Sequence, residues 1–165
     1  MSGTPVRASD CGPDPISSAQ RRLGMVGAQA HPGCALCRGS DLLGLGLDFR
    51  ALKSGVVVAE MDCPQALQGY PDRLHGGIIS AALDAAMTNA LFCAGVVAVT
   101  AELNVRFVAP VRIMQRALVR AVLDAGCAPP LYRVRAELEQ GHRVVARGSA
   151  KFLAVPSMRP RGGRR

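Results

Sequence analysis

The sequence predicts an α+β fold in which one long buried helix lies against a strongly bent antiparallel sheet. Three observations carry this. The stretch Gly76–Ala94 is rich in Ala, Leu and Met, too long for a single strand, and apolar nearly all round. Two segments before it and four after it read as strands, most by apolar–polar alternation and one by a run of Val. Their connections are short, which favours antiparallel neighbours. A helix apolar on most faces needs a curved sheet to wrap it and a second chain to cover what remains. A homodimer joined sheet edge to sheet edge, or a tetramer, is the expected state.

In chain order, residues 1–30 are rich in Gly, Pro, Ser and Ala without clear periodicity, and read as a flexible arm with a short helix near Ser18–Val26. Leu45, Leu47, Phe49 and Ala51 alternate with Gly46, Asp48 and Arg50 as a first strand. Lys53-Ser54-Gly55 supplies a turn into the Val-rich strand Gly55–Met61. Residues 63–74 read as a loop, with Pro64, Gly69 and Pro71. After the helix, Val99, Ala101, Leu103, Val105 and Phe107 alternate with Thr100, Glu102, Asn104 and Arg106 until Pro110. Strands over 117–123, 132–139 and 144–152 follow, the last two joined by a two-residue turn at Gln140-Gly141. The folded domain therefore spans 31–155, and 156–165 is a basic tail.

Charge and composition narrow the function. Of the net charge of +8, Arg159, Arg161, Arg164 and Arg165 of the Gly/Pro-rich tail supply four. With no Trp, two Tyr and four Phe there are few aromatic platforms for bases, so no nucleic-acid partner is expected. Ile78–Val99 is apolar enough to raise a membrane span, but Ser80, Asp84, Thr88 and Asn89 interrupt it, and no membrane partner is expected. The sequence shows no apolar leader, and its six cysteines (11, 34, 37, 63, 93 and 127) read as free thiols of a cytoplasmic protein. His31-Pro-Gly-Cys34-Ala-Leu-Cys37 has the spacing of metal ligands, but offers three and is followed by no second Cys-x-x-Cys. The expectation is a packed loop, with no metal and no cofactor.

Two features of the long helix bear on chemistry. Gly76 and Gly77 open it, presenting N–H groups backed by the helix dipole to any carbonyl that approaches, or else simply permitting a tight turn. Ser80, Asp84 and Thr88 form one polar stripe at i, i+4 and i+8. An Asp inside an apolar helix is costly without partners, so it is catalytic, bonded to a neighbouring strand, or turned to solvent beside Ser80 and Thr88.

Gln68-Gly69-Tyr70-Pro71, Leu74-His75-Gly76-Gly77, Leu83-Asp84 and Thr100-Ala101-Glu102-Leu103-Asn104-Val105-Arg106-Phe107 together resemble the PaaI-like branch of the hotdog thioesterases. That branch includes phenylacetate-pathway and 4-hydroxybenzoyl-CoA thioesterases, and the resemblance runs over roughly residues 31–155. It implies a hotdog fold, a homodimer with two sites at its interface, and hydrolysis of an acyl-CoA thioester. The amide matching Gly76 holds the thioester carbonyl. The carboxylate matching Asp84 is nucleophile or general base, and the hydroxyl matching Thr88 assists. His75, Gly77, Gln68 and Thr100 are the accompanying substrate-binding candidates. Arg106, Arg112, Arg133, Arg135, Arg147 and Lys151 are cationic candidates for the CoA phosphates, with Arg106 in the resembling strand. The sequence departs from the branch twice. Many relatives carry Asn or Gln six residues before the His, where this chain has Gly69 beside Gln68. Relatives with this Gln-Gly-Tyr-Pro form often have Asp-Glu where this chain has Asp84-Ala85. A non-catalytic acyl-CoA-binding module is the alternative reading. A hotdog dehydratase would need a second His–acid motif that is not evident here.

Overall fold

The computed structural model describes residues 15–37, 45–52 and 55–155. Residues 1–14 of the expected arm, the Lys53-Ser54 turn and the tail 156–165 lie outside them. The elements are α1 (Pro15–Ala30), β1 (Arg50–Ala51), β2 (Val57–Met61), a 3-10 turn (Gln65–Leu67), β3 (Gln68–Tyr70), β4 (Arg73–Leu74), α2 (Gly76–Cys93), β5 (Ala98–Phe107), β6 (Ala117–Leu123), β7 (Leu131–Gln140) and β8 (Arg143–Ala154). Six strands form one sheet in the order β1-β2-β6-β7-β8-β5, antiparallel at every joint. The helix α2 lies across its inner face, which is the expected architecture.

The core follows from the two periodicities meeting. Val119, Ala121, Val134, Ala136, Leu138, Ala146, Ala150 and Phe152 are buried on the sheet, and Leu83, Met87 and Leu91 on α2. Full burial of a side chain of this size contributes about 1.5–3 kcal/mol. Gly148 in β8 lets the helix come close, since a Cβ there would lie 3.4 Å from both Leu83 and Met87. By length and composition α2 could cross a membrane, but 67% of it is buried in this fold.

Four local expectations are corrected. First, α1 is a sixteen-residue helix, not a short one in a flexible arm. Ala19, Leu23 and Val26 are buried on the core, spaced for one helical face. Gly24 and Gly27 hide that stripe from a propensity reading, yet Gly27 is what allows close packing: its Cβ would stand 3.6 Å from the Phe92 ring. Leu23→Ala should therefore cost about 2–5 kcal/mol of unfolding free energy. A loss below about 0.5 kcal/mol, the range of an ordinary surface change, would show that α1 is not part of the cooperative unit.

Second, only Arg50–Ala51 of the first expected strand pairs in the ladder. Leu45, Leu47 and Phe49 are buried in alternation, but the Leu47 N–H donates to Leu36 O at 2.9 Å, so this segment ties to the preceding loop instead. Third, the β7–β8 turn is one residue later than expected, at Gly141-His142 with φ of 57° and 61°, the two positive φ values of a type I′ hairpin. Fourth, the β5–β8 register shifts between Thr100 and Glu102. Thr100 pairs with buried Phe152, and Leu103, Val105 and Phe107 pair with Ala150, Gly148 and Ala146. Ala101 is the extra residue, and the bulge moves Thr100 from the outer face to the helix side.

Candidate active site

The start of α2 is built by His75. As N-cap it has φ −65° and ψ 134°, and its Nδ1 accepts the Gly77 N–H at 2.9 Å. Its carbonyl accepts from Ile78 and Ile79 (3.0 and 3.2 Å), and its own N–H donates to Leu67 O at 2.9 Å. The Gly77 amide is thus engaged inside the cap. The Gly76 N–H, first in the helix, has no acceptor among the described residues. His75 shapes the turn and thereby leaves a single amide of the first turn, that of half-buried Gly76, without an acceptor among the described residues.

Gly76 opens on a hollow of about 310 Å³ lined by Tyr70, Leu74, Gly76, Ile79, Phe107 and Val111, among others. The Phe107 ring lies 3.4 Å from where a Gly76 Cβ would be. Tyr70 is 77% and Phe107 54% exposed, high values for large apolar groups. Sequence reasoning passed over both; the signal was that Phe107 ends the apolar face of β5 just before a loop. Gln68 is exposed in the β3–β4 ribbon, paired with Leu74, so it borders the same helix end.

Gly69 explains one departure from the resembling family. A Cβ at this position would come within 3.1 Å of both the Cα and Cδ2 of His75. The site cannot take an Asn or Gln without displacing the residue that caps the helix. Gly69→Ala should lower stability by about 1–3 kcal/mol through overpacking. An unchanged melting temperature would show that His75 yields freely.

Asp84 is half-buried two turns along α2, and the Thr100 hydroxyl donates to its Oδ1 at 2.7 Å. Thr100 fixes one carboxylate oxygen, and Oδ2 carries the remaining acceptor capacity. Ser80, one turn earlier, donates its hydroxyl to Gly76 O at 3.0 Å. Thr88, one turn later, is buried at 7% exposure. The buried thiols are poor nucleophiles: desolvation pushes Cys37 up to about 12 and Cys63 up to about 11, and raises Cys93. Asp84 is the one carboxylate along α2.

Arg106 is not brought to this cluster. Strand alternation sets it opposite to Phe107, in a groove of about 610 Å³ on the outer sheet face with Arg120, Arg135 and Arg147. There Arg135 pairs with Asp124 (2.6 Å), Arg147 with Glu137 (3.0 Å) and Lys151 with Glu102 (2.6 Å). Arg106, Arg112 and Arg133 have no such ion pair among the described residues. Arg73, absent from the sequence candidates, lines the hollow and forms a bridge with Arg112.

Residues 72–125 match the family model of the thioesterase superfamily. Among solved structures, the Escherichia coli PaaI protein from the phenylacetic acid degradation operon superposes with a TM-score of 0.71 at 17% identity, covering 83% of this chain and 96% of that one. A Streptococcus mutans protein bound to acetyl CoA gives 0.61 at 15% identity, over 66% of this chain and 88% of that one. A further thioesterase superfamily protein gives 0.62 at 19%, over 65% of this chain; the match spans 55% of that protein's length. These likenesses, at 15–19% identity, establish the hotdog fold. Comparison with curated protein sequences finds no match.

Proposed function

We propose that this hotdog chain, with the thioesterase superfamily pattern over residues 72–125, hydrolyses an acyl- or aryl-CoA thioester to the free acid and CoA. The observation that carries the reading is the pairing of two features on α2: a lone unpaired amide at Gly76 under an aromatic hollow, and Asp84 held by Thr100. The thioester carbonyl accepts from the Gly76 N–H, which with the helix dipole stabilises the oxyanion as it develops. The Asp84 carboxylate takes the proton of the attacking water, or itself attacks to form a mixed anhydride that a water then hydrolyses to the free acid; in either case the carbon–sulfur bond breaks and CoA leaves as the thiol after gaining a proton. Arg73, which lines the hollow, and Arg112, set beside it by a backbone β-bridge, are suited to the CoA phosphates. The acetyl-CoA-bound Streptococcus mutans neighbour agrees with a CoA-type ligand.

The two groups belong to different chains in this reading. Gly76 and Asp84 are eight residues apart, about 12 Å of helical rise, whereas reacting atoms must approach to about 3–3.5 Å. A second copy beside β5 brings its own Asp84 to the first chain's Gly76. β5 is a ten-residue edge strand whose helix-side Leu103 and Phe107 are 36% and 54% exposed, the kind of edge that invites pairing.

The second reading, binding without turnover, is favoured by Gly69, which supplies no side chain to orient water. A hydrolysis screen across acyl-CoA chain lengths and aryl-CoAs, with released thiol as readout, separates the two. Turnover of at least one class is expected. Saturable CoA-thioester binding with no thiol release would replace the enzyme by the binding module.

A further inference from the structure

Beyond the end of α1, the chain runs through residues 31–37 before returning to the core. The His31 ring meets Phe92 edge-on, centroids 5.1 Å apart and planes at 86°. Leu36 O holds the Leu47 N–H at 2.9 Å, so the loop is fixed on both sides. Within it, one ligand atom each from His31, Cys34 and Cys37 converge to within 4.8 Å of one another. The buried Nδ1 of His31 has no hydrogen-bond partner among the described residues, which is uncommon for a buried polar atom. Asn89 of α2, itself buried at 7% exposure, donates to Ala85 O at 2.8 Å and to Cys37 Sγ at 3.4 Å.

The spacing His-x-x-Cys-x-x-Cys alone supports a packed loop; the convergence supports more. We propose that His31, Cys34 and Cys37 bind one zinc ion, with a water as fourth ligand, and that the ion clasps the end of α1 to α2. Zinc takes thiolate sulfur at about 2.3 Å and imidazole nitrogen at about 2.0–2.1 Å in a tetrahedron. Such a tetrahedron sets neighbouring donors about 3.4–3.8 Å apart, so closing a cluster whose ligand atoms lie within 4.8 Å of one another requires a contraction of at most about 1–1.4 Å. Two sulfurs and an imidazole select a thiophilic cation over magnesium or calcium. A bound cation deprotonates a coordinating thiol outright. The Asn89 N–H aimed at Cys37 Sγ is the outer-shell donor that steadies a ligating thiolate.

The role is structural. Asn89 lies thirteen residues beyond Gly76 on α2, about 20 Å of helical rise, and Asp84 and Thr100 are held without the cluster. The ion ties together three pieces: the α1 terminus through His31, the loop through Cys34 and Cys37, and α2 through the Asn89 bond to Cys37 and the Phe92 contact with His31.

The test uses the full chain, produced with zinc in the medium and purified under reductant without chelator. Metal analysis should find about one zinc per chain, within the three-protein-ligand class of site. Exchange for Co²⁺ should give the strong visible bands of a tetrahedral site and a thiolate charge-transfer band in the near ultraviolet. Cys37→Ser should abolish both, and Asn89→Ala should weaken metal affinity by about 10–100-fold while leaving the protein folded. Removing zinc by chelation should lower the melting temperature of the wild-type chain but not of Cys37→Ser. Folded chains with free thiols that take up neither zinc nor cobalt would overturn the assignment. So would zinc retained undiminished by Cys37→Ser, which marks adventitious metal, or a Cys34–Cys37 disulfide in protein kept under reductant.

Discussion

Asp84→Asn is expected to lower kcat for acyl-CoA hydrolysis by about 10²–10⁴ while leaving substrate affinity nearly unchanged. Asn has the size of Asp, and its Oδ1 still accepts the Thr100 hydroxyl that now meets Asp84 at 2.7 Å. The fold and the orientation of the side chain are therefore kept. What is lost is the negative oxygen that takes a proton from water or attacks carbon. A loss confined to kcat is the signature of an interaction that counts in the transition state. Equilibrium binding of a non-hydrolysable CoA thioether to both proteins measures the ground state separately. If Asp84→Asn turns over substrate at the parental rate, the carboxylate serves only to anchor Thr100 and the bulge of β5.

That bulge marks where the sequence stops being legible. The element order, the extent of α2 to within a residue, and the strands on either side could be read because period-two alternation and an all-round apolar helix are strong signals. Asp84 stood out for the same reason, a carboxylate where every neighbour is apolar. Thr100 was singled out by the resemblance and not by its pattern: in strict alternation it belongs with Glu102 and Arg106 on the outer face. The extra residue Ala101 reverses the parity and turns Thr100 toward Asp84. No local property of Ala101 announces a bulge, which is settled by register against Phe152 and Lys151 across the sheet. The Gly77 amide is a similar case. Two consecutive glycines look equivalent in sequence, and only the rotamer of His75, which draws in one N–H, separates the cap from the site. Gly69 carries the opposite lesson. Read as a missing Asn it weakens the case for catalysis, whereas in the structure it gives room to His75, whose Cα would lie 3.1 Å from a Cβ placed there.

Gly76→Pro is expected to reduce kcat by about 10²–10³, the usual effect of deleting one oxyanion donor, without unfolding α2. Gly76 is the first helical residue, where proline is well tolerated because that N–H has no intrahelical partner. The residue before it, His75, already has the extended backbone that a following proline requires, φ −65° and ψ 134°. The bonds from Gly77 and Ile79 to His75 survive, so the substitution removes one N–H and little else. Gly76→Ala, which keeps the N–H and sets its Cβ 3.4 Å from Phe107, serves as the control and should remain active. The same variant tests whether the site is shared. In a two-fold dimer whose sites each take Gly76 from one chain and Asp84 from the other, a chain carrying Asp84→Asn paired with one carrying Gly76→Pro has one intact site and one doubly defective site. Unfolding the two variants together and refolding them as a one-to-one mixture should restore about a quarter of the wild-type rate, since about half the dimers are mixed and each has one working site. Refolding the double variant with wild-type chains should give mixed dimers with no working site at all. If the two single variants fail to complement while wild-type and double-variant mixtures retain a site per mixed dimer, Gly76 and Asp84 act within one chain, and the arrangement across the β5 edge is wrong.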